Sequence, residues 1–209
     1  MVKPNVGVLV YGDIGRSPRM QNHALQLARD FHVYLIGYRE NEPPSEIVEH
    51  PDIELVDISS DFLKRLKAIK LFYVYALLRI ILQTLQLLLL LVFRLKELKF
   101  VLVQNPPSIP VLSTVWMAAR LRRFKMIVDF HNYGYTILKM GVKNKFIVAI
   151  AQKYEQFFGR RCDHSFCVSD NMRENLSREW GIEAIPLYDR PSGKSISFNT
   201  QAMLGKVGV

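Results

Sequence analysis

Val6-Gly7-Val8-Leu9-Val10-Tyr11-Gly12-Asp13-Ile14-Gly15-Arg16-Ser17-Pro18-Arg19-Met20 is the stretch that decides the fold. Its apolar first half reads as a buried strand. A helical pattern from about Ser17 to Asp30 leads out of it. A strand, a glycine loop and a helix in that order set backbone N–H groups and a helix N-terminus at the end of a buried strand. Gly12 and Gly15 suit a tight turn. Ser17 reads as the N-cap and Pro18 as the first helical residue. Arg16 and Arg19 add two cations at that helix start, so the loop is read as an anion cradle suited to a phosphate. A plain strand-to-helix turn with two solvated arginines is the competing reading, because G-x-x-G lacks the full dinucleotide spacing.

Outward from this unit, strands and helices alternate. His32 to Tyr38 and Ile53 to Ile58 read as strands, the second half exposed or near a sheet edge. Phe100 to Val103, Lys125 to Asp129, His164 to Val168 and Ala184 to Tyr188 complete the set. Helices are expected at about Ile109 to Leu121, Lys145 to Phe158, and from a Ser169 cap to about Trp180. This alternation predicts an α/β fold, a Rossmann-like parallel sheet with helices on both faces. Ligands of such sheets bind beyond the carboxyl ends of the strands. By that rule the loops Gly12 to Arg19, Gln104 to Ser108 and Asp129 to Tyr135 share one rim.

The chain has 209 residues, 49% of them hydrophobic and 22% charged, and a formal charge of +9. It can bury a core, and its charge calls for an anionic partner. The basic residues form no long run and no zinc-finger or RNP-type motif occurs, which argues against nucleic acid. Two cysteines, Cys162 and Cys167, make neither a disulfide framework nor a metal site and fit a reducing compartment. No ligand cluster implies a metal. The N-terminus runs straight into the first strand, so neither signal peptide nor N-terminal anchor is expected.

One segment stands apart. About 62–98 reads as a single apolar helix flanked by Lys64, Arg65, Lys67 and Lys70 on one side and Arg94, Lys96 and Lys99 on the other. Its apolar length approaches the roughly 20 residues that cross a bilayer, but Arg79 would sit near the midplane, where a charge is costly. Arg79, Gln83 and Gln86 fall at helical spacing and leave a broad apolar surface. An interfacial helix fits this pattern, with Leu71, Phe72, Leu82, Leu87, Leu88, Leu89 and Phe93 as membrane-associating residues. An ordinary buried crossover helix is the alternative.

His131 is the candidate base. It lies just past a strand end, two residues from Asp129, which could orient it, with Asn132 and Tyr133 beside it. A histidine that merely caps the next segment is the competing reading. His23 reads as structural, and Glu155 and Asp163 as ordinary helix-surface and turn residues.

Five motifs in order then carry a resemblance: Gly12 to Gln21, Gln104-Asn105-Pro106-Pro107, Asp129 to Tyr135, Tyr154 to Gly159, and Tyr188-Asp189-Arg190-Pro191. Together they resemble the chitobiosyldiphosphodolichol β-mannosyltransferase family. The resemblance implies a GT-B glycosyltransferase architecture of which residues 1–191 form the N-terminal, acceptor-side domain. It implies inverting transfer of mannose from GDP-mannose to dolichol-diphosphate-linked di-N-acetylglucosamine, on the cytosolic face of the endoplasmic reticulum membrane. Other glycosyltransferases of the pathway are implied as partners. Under it, His131 and Asp129 are the catalytic candidates. Gly12, Asp13, Gly15, Arg16, Ser17, Arg19, Asn105, Asn132 and Tyr133 are the substrate- and phosphate-binding ones. No cofactor is expected in this half, GDP-mannose being a substrate. Residues 192–209 read as an unstructured, divergent tail and the donor-binding domain as absent, so the isolated chain is expected not to turn over. A non-catalytic membrane-bound acceptor-binding adaptor for a separate donor-binding chain, and a plain lipid-phosphate binding module, are the alternative functions.

Overall fold

The computed structural model describes residues 3–58 and 72–188. Leu71, the basic segment 64–70 and the 192–209 tail lie outside the described residues, as do the side chains of Phe72 and Arg79. Seven strands form one sheet: β1 (Asn5–Asp13), β2 (His32–Tyr38), β3 (Ile53–Asp57), β4 (Leu98–Asn105), β5 (Lys125–Phe130), β6 (His164–Cys167) and β7 (Ile185–Pro186). Their spatial order is β3-β2-β1-β4-β5-β6-β7 and every pairing is parallel. The order reverses direction between β1 and β4. That gap is the switch point, where the loops leaving two adjacent strands diverge and open a crevice.

Strand alternation sorts the core into two layers. Val6, Val8 and Val10 of β1 pack toward α1 (Pro18–Leu27) and the short α2 (Ser45–Val48), with Met20, Ala24 and Ile47. Leu9 points the other way. There it joins Val101 and Val103 beneath α3 (Phe72–Leu89), α4 (Val111–Arg122) and α7 (Asp170–Trp180). Two more helices follow β5: α5 (Gly134–Gly141) and α6 (Lys145–Gly159). In this second layer α3 packs on α4, and α4 on α6.

Several boundaries differ from the sequence expectation. The apolar helix does not run to residue 98. α3 closes in a π-helical turn at Leu90–Arg94, and Leu98 opens β4. α1 ends at Leu27 rather than Asp30, and α5 was not expected at all. Leu87, read from sequence as membrane-associating, is buried against the sheet, whereas Leu89 and Phe93 are exposed and Leu82 and Leu88 half-buried. Helical spacing explains the division: 83, 87 and 91 point inward, and 77, 81, 85 and 89 point outward. The outward set is Leu77, Ile81, Leu85 and Leu89. The inward set includes Gln83, whose Nε2 donates to Tyr38 Oη at 3.3 Å, and nearby Gln86 donates to the Ile58 carbonyl at 3.0 Å. So α3 turns two amides toward the protein beside buried Leu87, and presents Leu77, Ile81, Leu85 and Leu89 on its outer face. No helix among the described residues is long and apolar enough to cross a membrane.

Candidate functional site

Two periodicities bring four residues together at the carboxyl end of the sheet. On β5, residues 127, 129 and 131 share the face covered by α1. On α1, residues 19 and 23 are one turn apart and face the same way. Asp129 is wholly buried between them. Its Oδ2 accepts from Arg19 Nε at 2.8 Å, His23 Nε2 at 3.0 Å and His131 Nε2 at 3.0 Å, and its Oδ1 accepts from Arg19 Nη2 at 2.9 Å. Burial pushes against the charge of Asp129. The hydrogen bonds from His131, His23 and Arg19 more than reverse that, and hold the carboxyl well below the usual carboxylate range. An ionised carboxylate only accepts, so Nε2 of each histidine carries the hydrogen. In the neutral ring the lone pair is thereby left on Nδ1. The side chains of His23 and His131 are 16% and 19% exposed, so both rings reach the surface of the crevice.

Arg19 therefore does not stand as a solvated loop arginine. Its side chain is 9% exposed, and Nη1 donates to the Leu187 carbonyl at 2.7 Å, tying α1 to the end of β7. Arg16 is the exposed cation of the glycine loop. Asp13 is not a bystander either. Its Oδ1 accepts from the Gly15 N–H at 3.2 Å and the Asn41 N–H at 3.1 Å, and its Oδ2 from the Asn41 amide. Those bonds, the Asn41 side chain first, hold its carboxyl below the usual range. Thus the loop's own carboxylate takes up the Gly15 amide. Ser17 sits at the N-cap of α1 but makes no side-chain cap, because its hydroxyl donates to the Asp13 carbonyl at 3.1 Å. Gly15 is required by close approach: a Cβ there would collide with the backbone carbonyl of Asn41. Gly15→Ala should accordingly cost about 1–3 kcal/mol, the usual range for overpacking. Urea denaturation checks this, and an unchanged midpoint would mean that the 39–42 loop yields freely.

The second rim loop is built around Asn105 and Glu155, both fully buried. Asn105 Nδ2 donates to Glu155 Oε1 at 2.6 Å and to the Asn132 carbonyl at 3.3 Å, and its Oδ1 accepts from Ser108 Oγ at 2.9 Å. The Asn105 carbonyl accepts the His131 N–H at 2.9 Å. Asn105 is thus a positioning residue that fixes the His131 segment from the neighbouring strand. Glu155, expected as a surface residue, caps α5 from a distance, accepting the Gly134 and Tyr135 N–H groups at 2.8 and 3.0 Å. Asp163, expected as an ordinary turn residue, pins the start of β5 by accepting the Met126 N–H at 2.8 Å. Asn132 is exposed at the rim. Tyr133 turns away, its hydroxyl donating to Asn175 Oδ1 at 2.6 Å and its ring packing on Trp180. Burial there pushes its phenol up to about 12.

Two residues join the site that sequence reading left out. His23 is one. Gln104 is the other: it lies opposite Asp129 in the β4–β5 register and so shares its face. Its Oε1 is buried with no hydrogen-bond partner among the described residues. The crevice therefore offers two imidazole rings and an exposed arginine around one buried carboxylate, with the Gln104 amide beneath it. Such a set has the chemistry to hold a polyhydroxy or phosphorylated ligand and to accept a proton from a hydroxyl.

The family model for Glycosyltransferase Family 4 matches residues 19–188. Among curated proteins, chitobiosyldiphosphodolichol beta-mannosyltransferase of Homo sapiens is 37% identical over 192 residues, covering 90% of this chain and 40% of that protein. The Yarrowia lipolytica protein of the same name is 39% identical, over 88% of this chain and 41% of that one. The UDP-glycosyltransferase TURAN of Arabidopsis thaliana is 38% identical, over 88% and 40%. The chain spans about two fifths of the length of these relatives. Among solved structures, LpCGTa in complex with UDP superposes with a TM-score of 0.57 at 13% identity, over 91% of this chain and 54% of that one. A UDP-glucosyltransferase from Polygonum tinctorium gives 0.54 at 10% identity, over 95% and 55%. These two share the fold, a Rossmann-like half of the GT-B type.

Proposed function

The chain belongs to Glycosyltransferase Family 4, and from that membership we propose that it forms the acceptor side of a β-mannosyltransferase. The reaction moves mannose from GDP-mannose to di-N-acetylglucosamine carried on dolichol diphosphate, at the cytosolic face of the endoplasmic reticulum membrane. The observation that carries this reading is the His131–Asp129 pair at the switch-point crevice. Asp129 holds the Nε2–H, and Nδ1 is left to receive a proton.

In the proposed step, an acceptor sugar hydroxyl gives its proton to His131 Nδ1. Its oxygen bonds to the anomeric carbon of mannose as the bond from that carbon to the β-phosphate oxygen breaks, and GDP leaves with inversion. His23, on the same carboxylate, suits a further sugar hydroxyl, and Arg16 suits the diphosphate. The nucleotide is assigned to the portion of the relatives that these residues do not span. The outward leucines of α3 rest on the membrane that bears the acceptor.

The test is His131→Ala in an enzyme that carries this chain as its acceptor half. Mannosyl transfer to di-N-acetylglucosamine carried on a short-chain isoprenyl diphosphate should fall roughly 10²–10⁴-fold, the contribution of a positioned base, with acceptor affinity retained. Transfer at the parental rate would remove His131 from the mechanism.

A further inference from the structure

Helices α5 and α6 form a hairpin whose outer surface is apolar. Ile137 and Met140 lie on α5, and Phe146, Ile147 and Ile150 on α6. Met140 is 82% exposed and Phe146 73%. On α6 the inward positions are Ala151, Glu155 and Gly159. The helix thus turns a carboxylate inward beside Tyr154 and Phe158, while the first half of the helix holds Phe146, Ile147 and Ile150 outward, against the pattern of a helix at home in water. Lys139, Lys143, Lys145 and Lys153 are all exposed around this surface, and no Asp or Glu occurs between residues 131 and 154. The patch is therefore apolar at its centre and uniformly positive at its margin. Beside it, an apolar cavity of about 240 Å³ opens between the Pro106–Ile109 segment and Ile137 and Leu138.

We propose that the α5–α6 hairpin docks on an anionic lipid bilayer, with Met140 and Phe146 below the headgroups and Lys139, Lys143 and Lys145 on the lipid phosphates. Charge complementarity selects this occupant: apolar side chains rimmed by lysines match the acyl boundary and the anionic headgroup layer together. A second copy of the chain fits poorly, since an isologous contact would set the four lysines of one copy against the same four of the other. The surface is separate from α3 and does not depend on which sugar or acceptor the enzyme uses. It has a mechanical consequence. α5 begins three residues after His131, with its first amides held by Glu155, so a docked hairpin keeps the His131 segment at headgroup level.

The test is cosedimentation of the full chain with vesicles of phosphatidylcholine, alone and mixed with phosphatidylserine. The chain should bind the mixed vesicles, and bind them less as salt rises. Replacing Lys139, Lys143 and Lys145 with Gln should weaken that binding about fivefold per lysine, on the order of a hundredfold in all. Met140→Glu with Phe146→Glu should abolish it on both vesicle types. Because a paired substitution can disturb the hairpin, Phe146→Trp gives a second reading: its emission should shift to shorter wavelength on the mixed vesicles, against the constant background of Trp116 and Trp180. Parental binding by the Met140/Phe146 pair, or Phe146→Trp emission indifferent to vesicles, would overturn the proposal. So would binding that disappears with Leu85→Glu and Phe93→Glu on α3 but survives the hairpin pair. Lipid-free self-association that the hairpin pair abolishes would overturn it in favour of a protein interface.

Discussion

Asp129→Asn is expected to lower folding stability by about 3–5 kcal/mol, the range for removing one side of a buried ion pair. The carboxylate is fully buried and is shared by Arg19, His23 and His131. An amide of the same shape keeps the volume but loses the charge. It takes from the Arg19 guanidinium, itself 9% exposed, the charge it meets at 2.8 and 2.9 Å. The urea midpoint at neutral pH reads this directly, and an unchanged midpoint would show that the cluster is not a stabilising centre. A double variant with Arg19→Met should recover part of the loss, since the two changes share one interaction. The pH dependence has a definite sign. Asp129 is held below its unfolded value, near 3.9. Its contribution is therefore complete above that pH and drains away as pH falls toward the folded value. The parent should lose stability below about pH 4 more steeply than Asp129→Asn, which has no proton to take up at this position.

Glu155→Ala should cost about as much, roughly 3–5 kcal/mol, because it takes the buried acceptor from three N–H donors at once, at about 1–3 kcal/mol each. They are Asn105 Nδ2 and the N–H groups of Gly134 and Tyr135. It also removes a negative charge from the positive end of α5. Glu155→Gln should cost less, since one oxygen remains to accept. Amide hydrogen exchange locates the damage: protection should fall first across Gly134–Gly141 and then in the segment of His131. If stability fell evenly across the sheet instead, Glu155 would be a packing residue and not the anchor of that helix.

The sheet was legible in the sequence because each strand is an apolar run closed by Gly, Pro or a polar turn. The two-residue spacing of Asp129 and His131 at a strand end marked them as a candidate pair. Their partners were not legible, since His23 and Arg19 meet Asp129 across more than a hundred residues and nothing local marks the contact. The missed α5 has a physical reason. Tyr133 stands at its N-cap and makes no side-chain cap, and the capping carboxylate arrives from Glu155, one helix later. A capping signal sought within four residues finds nothing there. The long leucine segment misled in a different way. Composition gives its hydrophobicity but not its outward face, and only packing separates buried Leu87 from exposed Leu85 and Leu89.

The bond from Arg19 to the Leu187 carbonyl joins residues 168 positions apart, and the Arg19–Asp129 pair spans 110. Both bear on the order of events while the chain is being made. Arg19 leaves the ribosome long before its carboxylate does, and β1 must wait for β4 before its second edge is paired. Until residue 129 has emerged, the carboxylate that Arg19 and His23 share is missing from the inner face of the first helix. The crevice is therefore completed only after residues 129 and 187 have emerged, and a ribosome that stalls before residue 129 leaves the first helix without the carboxylate that fastens it to β5.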